Sequence, residues 1–150
     1  MKYRWAALVI VLALGVIMPR SAAAQGETPP AARERSPRFD LGQNYPNPFN
    51  PTTTIPFVIG DPPICVDGEV HRVTLQVFNV LAQWIANPIL QGGDVAAGQP
   101  MINVPLRCGA YTAFWDGKIG NTGREVASGV YYIRLIVDGK VRVNKAIVTK

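Results

Sequence analysis

Residues 130–148 read VYYIRLIVDGKVRVNKAIV, and this stretch decides the fold class. Two runs with apolar residues at every second position flank Asp138-Gly139, a pair suited to a tight reversal, so the stretch reads as a β-hairpin. A two-residue turn on Asp138-Gly139 would set Leu135 opposite Arg142 and Ile133 opposite Asn144. A three-residue loop, Val137 to Gly139, instead pairs Leu135 with Val141 and Ile133 with Val143. Only the second register matches apolar with apolar, and a one-residue slip loses it. The sequence therefore predicts the three-residue loop.

The same period recurs upstream. In His71 to Val80, Val73, Leu75 and Val77 alternate with Arg72, Thr74 and Gln76, giving one buried and one wet face. Ala82 to Leu90 is a weaker strand candidate ended by Gly92-Gly93, and Met101 to Leu106 is another, interrupted by Pro105. Ala110 to Trp115 alternates again and stops at the turn pair Asp116-Gly117, with a further loop at Gly120 to Gly123. No window of about a dozen residues beyond the N-terminal segment sustains helical spacing. Short strands separated by turn signals predict an all-β domain over residues 39–150, an antiparallel immunoglobulin-like β-sandwich of about seven strands. Trp84 and Trp115 read as core or edge packing.

The N-terminus has a different texture. Lys2 and Arg4 precede an apolar run of 13 residues, Ala6 to Met18, followed by Pro19 and Ala22-Ala23-Ala24. That order is a cleaved Sec-type signal peptide over residues 1–24, cut between Ala24 and Gln25. The run falls short of the roughly 20 residues that a membrane-spanning helix needs. No Cys follows it to carry a lipid. Residues 25–38, polar and proline-bearing, read as a flexible linker. The expected route is export to the periplasm and then to the cell surface or the medium, with no integral membrane segment left after cleavage.

Charge and cysteines narrow the function classes. The chain has 15 Lys+Arg and 10 Asp+Glu. Removing Lys2, Arg4 and Arg20 with the signal leaves 12 against 10, a net charge of +2. That balance, with no basic stripe, is not the footprint of a nucleic-acid binder. In an oxidising compartment the two cysteines, Cys65 and Cys108, favour a bridge. Its loop of about 40 residues would contribute very roughly 3–4 kcal/mol. Two cysteines and one distant histidine make no closed metal site.

Catalytic machinery finds little support. His71 is the sole histidine, has no spaced Ser or Asp partner, and reads as a surface residue where its strand begins. The acidic residues mostly adjoin Gly or Pro, which marks them as turn formers. No phosphate-binding glycine loop, zinc spacing or calcium loop appears, and no cofactor is expected.

Residues 41–57, LGQNYPNPFNPTTTIPF, are the most distinctive string. Pro46, Pro48, Pro51 and Pro56 exclude helix and speak against a central strand. Tyr45 and Phe49 are apolar handles on a preset backbone, and Asn44, Asn47 and Asn50 can cap its turns. Asn44-Tyr45-Pro46-Asn47-Pro48-Phe49-Asn50-Pro51-Thr52 resembles the start of the type A C-terminal sorting domain of the type IX secretion system, a pattern shared with the immunoglobulin-like domain of flagellar hook-capping proteins. Val73 to Gln83 resembles that family's second block, with Ala82 where Gly is usual. Trp115-Asp116-Gly117 and Ser128-Gly129-Val130-Tyr131 match the third and fourth, in order.

The resemblance implies a non-catalytic module recognised by the outer-membrane secretion machinery, with a surface sortase-like peptidase as a further partner. It also implies that the exposed edge of the last hairpin is a candidate docking strand. Two departures stand out. A sorting domain normally follows a large cargo, whereas here it follows the linker, and the insert Asp61 to Glu69 with Cys65 exceeds the common short version. The alternative is a surface-exposed structural or adhesive module binding glycan or protein, with a solvent-facing aromatic cluster involving Tyr132 and Trp84. A hook-cap role fits less well, since such proteins carry a further assembly region and lack a Sec-type signal.

Overall fold

Burial alternates strictly along residues 53–59 and 131–137, and two sheets built on that alternation face one another. The structure is a computed structural model, and it describes residues 38–61, 68–92 and 97–150. The signal segment, the Ala24–Gln25 cut, the linker up to residue 37 and Cys65 lie outside the described residues. Among those described, the strands in chain order are β1 (Phe39–Leu41), β2 (Thr53–Ile59), β3 (Val70–Asn79), β4 (Trp84–Ala86), β5 (Ile89–Gln91), β6 (Val104–Arg107), β7 (Gly109–Trp115), β8 (Gly129–Val137) and β9 (Lys140–Val148). One antiparallel sheet has the order β1-β2-β7-β5. The other runs β4-β3-β8-β9, with β6 also paired to β3. The all-β sandwich is as expected. Among the described residues it has nine strands rather than about seven, in part because Ala82 to Leu90 is two strands: at Asn87-Pro88 the chain leaves one sheet for the other. Among the described residues no helix is long and apolar enough to cross a membrane.

The core is the set of inward positions. Ile55, Phe57 and Ile59 of β2 meet Val73, Leu75 and Val77 of β3 and Ile133, Leu135 and Val137 of β8, all buried. Each such side chain contributes about 1.5–3 kcal/mol by leaving water. Tyr131 fixes the start of β8 by donating its hydroxyl to the Ala127 carbonyl at 3.0 Å, a corner device typical of immunoglobulin-like sandwiches.

The last hairpin corrects the predicted register. Leu135 faces Arg142, Ile133 faces Asn144, and Val137 pairs with Lys140, which is the two-residue turn. Asp138 and Gly139 have φ of 47° and 80°, both in the left-handed region that a type I′ turn requires. Two demands outweigh the apolar match. The Asp138 carboxylate locks the turn to β3, accepting from the Arg72 N–H at 2.8 Å and meeting His71 Nδ1 at 2.7 Å. The inward polar residues of β9 also have work there: Arg142 lies 5.2 Å over the Phe39 ring, and Asn144 Nδ2 donates to the Leu41 and Gly42 carbonyls at 2.6 and 3.1 Å. Val141 and Val143 take the outer face instead.

Pro56 is a second correction, since it sits in β2 between β1 and β7. The missing donor falls where β1 has ended. Gly42 N–H donates to the Pro56 carbonyl at 2.9 Å, and the return bond that Pro56 cannot make is replaced by Asn144 on the Gly42 carbonyl. His71 is the third. It is 8% exposed rather than a surface residue, with Glu69 3.9 Å from Nε2 on its other side. A carboxylate accepts, so Nδ1 is the nitrogen that donates to Asp138.

Burial alone would raise the Asp138 carboxyl, but the hydrogen bonds from His71 and the Arg72 N–H outweigh it and hold it below the usual carboxylate value. A carboxyl lowered in the folded state stabilises above its unfolded pKa of about 3.9, and the gain is lost as pH falls through the folded value. Asp138→Asn is therefore expected to be less stable than the parent at pH 6, with the gap closing below about pH 4. Urea unfolding at a series of pH values reads this. Ala82 has φ 57° in the turn that Asn79 closes through its Oδ1 to the Leu81 and Gln83 N–H groups at 3.0 Å. A side chain there is strained, so Ala82→Gly should stabilise the domain by about 0.5–1 kcal/mol, measured by the same unfolding curves.

Candidate functional site

The motif residues, scattered over some ninety positions, meet at one end of the sandwich. Phe49 is buried edge-on to the Trp115 ring at 5.3 Å, and Trp115 is in turn edge-on to Tyr131 at 5.6 Å. Aromatic pairs in this geometry add about 0.5–1.5 kcal/mol beyond their buried area. Trp115 Nε1 donates to the Lys118 carbonyl at 3.1 Å, and Asp116 Oδ1 accepts from the Lys118 N–H at 3.1 Å. Gly117 has φ 69°, and a Cβ there would collide with the Pro51 carbonyl oxygen. This is why the turn after Trp115 requires glycine: the two motif blocks touch through their backbones.

The polar residues of the string are equally engaged. Asn44 is fully buried and donates through Nδ2 to the Pro46 carbonyl at 3.1 Å and to Thr53 Oγ1 at 2.9 Å. Thr53 Oγ1 donates to the same carbonyl at 3.0 Å. No buried side-chain N or O among the described residues is left without a partner.

The string also finishes an edge. Beside the second half of β9, Phe49 N–H donates to the Ile147 carbonyl at 2.9 Å and Thr149 N–H to the Phe49 carbonyl at 3.0 Å. Asn47 Oδ1 accepts from the Ile147 N–H at 2.9 Å, and Gln43 Nε2 donates to the Lys145 carbonyl at 3.0 Å. An uncovered edge strand is a template for unwanted pairing, and here an irregular segment takes its hydrogen bonds. The docking edge expected of the last hairpin thus shrinks to the stretch around Val141 and Val143.

The structure divides the motif in two. Asn44, Phe49, Trp115, Gly117 and Tyr131 are buried, and folding explains them. Tyr45, at 55% exposed, with Pro46, Pro48, Asn50, Pro51 and Thr52, faces solvent. Asn47, Asp116 and Val130 are intermediate, and Gly129 is exposed at the start of β8. Cys108 is not part of this site. It precedes β7, at the opposite end from Trp115, where the left-handed Gly60 leaves room for its Sγ. No cysteine among the described residues is a free thiol. Trp84 and Tyr132 each pair with Phe78 in the ladder, so they form a row across three strands rather than a ring contact. Sequence reasoning missed Thr53 and Asn144; the available signal was a polar residue at an inward position of an alternating strand.

Among the described residues no three His, Cys, Asp or Glu side chains gather to hold a metal ion. Compared with family models, curated proteins and solved structures, the chain matches none of them.

The division predicts unequal costs. Phe49→Ala should destabilise the domain by about 3–5 kcal/mol, while Tyr45→Ala should cost about 0.5 kcal/mol or less. Thermal and urea unfolding of the two variants checks this.

Proposed function

We propose that this protein is a non-catalytic secretion-sorting or attachment module, exported by a Sec-type signal and recognised by the type IX outer-membrane machinery, with a surface sortase-like peptidase as a further partner. One observation carries the reading. Sequence blocks resembling those of the sorting domain converge on one end of the sandwich, and six of the nine residues of the first block turn their side chains outward, where the core does not account for them. A recognition surface of exposed Tyr and Pro side chains on a fixed backbone suits a receptor that reads a folded address, because little conformational entropy remains to be lost on docking. A bridge between Cys65 and Cys108 belongs to the same reading. It would tie the 61–69 insert to β7 and suit an oxidising compartment. The adhesive alternative draws its support from Trp84, half-exposed yet held in place.

The test is a fusion of residues 34–150 behind a Sec-exported reporter in a type IX-competent bacterium, with and without a working translocon. Translocon-dependent arrival of the reporter at the surface or in the medium is expected. Tyr45→Ala in the same fusion should lower delivery without lowering the melting temperature. Retention in the periplasm of both strains would overturn the proposal.

A further inference from the structure

Next to the Trp115-Asp116-Gly117 block, a groove of about 270 Å³ opens beside β4 and β5. Trp84 forms one wall, and Ile89, Ile102, Phe114, Asp116 and Asn121 complete the working surface. Trp84 is 50% exposed, so the core does not account for it. It is nevertheless fixed. Its Nε1 donates to Asn87 Oδ1 at 3.0 Å, and Asn87 Nδ2 is itself anchored on the Leu75 carbonyl at 2.8 Å. Gly120, whose N–H donates to the Ile85 carbonyl at 2.8 Å, lies so close that a Cβ there would stand 3.3 Å from the indole. With its N–H satisfied and its edge supported, the indole offers solvent a flat apolar face and no hydrogen bond.

The rim supplies what the indole lacks. The Asn121 amide makes no hydrogen bond among the described residues, so it can donate and accept. Asp116 spends Oδ1 on the Lys118 N–H and keeps Oδ2 as an acceptor, 3.6 Å from Lys118 Nζ. Among the described residues Asp116 is the only formally charged side chain lining the groove, and its ion pair with Lys118 leaves no uncompensated charge there to favour an ionic ligand. A rigid aromatic plane beside a few hydrogen-bonding groups, in a groove of this volume, matches a pyranose, whose C–H face stacks while its hydroxyls reach the rim.

We propose that this groove is a saccharide-binding site for a neutral sugar ring, with Trp84 as the stacking platform and Asn121 and Asp116 as the hydroxyl partners. The groove shares Trp115 and Asp116 with the motif but includes no residue of the exposed proline string, so a glycan and the secretion machinery would use adjoining surfaces. Because the platform is preformed, a single-ring contact needs little ordering of the protein, and a dissociation constant of about 0.1–1 mM is expected.

The test uses the purified full chain with cellotriose, chitotriose and maltotriose, and a galacturonic acid trimer as the anionic counterpart. Saturation-transfer NMR and titration of indole fluorescence are the readouts. At least one neutral trisaccharide should bind, with the anionic trimer at least tenfold weaker. Trp84→Ala should abolish the signal, Trp84→Phe should retain part of it, and Asn121→Ala should weaken it several-fold, all with unchanged unfolding curves. Silence from every neutral probe, preference for the anionic trimer, or binding undiminished in Trp84→Ala would each overturn the proposal.

Discussion

Phe49 is the side chain on which the domain closes. Its ring is buried against Trp115, while its backbone joins the outer edge of β9. One residue therefore fastens an irregular, proline-rich segment both to the core and to the far sheet. Without that ring the segment would have no buried apolar anchor, and its three prolines, Pro46, Pro48 and Pro51, deny it an ordinary place in a ladder. Hydrophobic burial supplies the energy here, and hydrogen bonds from Asn44, Asn47 and Gln43 set the position.

Amide side chains recur at the places where regular pairing fails. Asn144 takes the Gly42 carbonyl that Pro56 cannot serve, Asn47 takes a donor on β9, Asn79 closes the turn after β3, and Asn87 holds the middle of β3 at Leu75. Each offers a donor and an acceptor on a short stem, so it can replace a missing backbone partner without extending a strand. The sheets remain short and their edges finished, which limits chain-to-chain pairing.

Much of the fold was legible from period alone. The alternation in β3 and β8 placed Val73, Leu75, Val77, Ile133 and Leu135 inward, because side-chain direction in a strand follows parity. Parity failed where another force decided the outcome. Apolar matching pairs Val141 and Val143 with Leu135 and Ile133, but the Asp138 lock and the polar corner at Phe39 set the observed register. Pro56 speaks against a central strand only where the neighbouring strand continues past it, and β1 stops at Leu41. His71 lacked a visible partner because Asp138 is distant in sequence and adjacent only once the hairpin folds back on β3. The motif blocks could be read in order, yet nothing in a linear string shows that Phe49, Trp115 and Tyr131 share one aromatic contact, or which half of the motif faces out. The groove at Trp84 was less legible still, since it depends on the chain switching sheets at Asn87-Pro88.

The edge closure also bears on when the domain can fold. The contacts that join Gln43, Asn47 and Phe49 to β9 link residues about 100 positions apart, so they form late relative to local hairpins. β9 follows in chain order everything it encloses. A nascent chain that lacks it has an open sheet, no backbone partners for Phe49 and an incomplete core. Completion thus waits until nearly the whole length of the domain has been synthesised, so the sandwich closes as one unit rather than strand by strand.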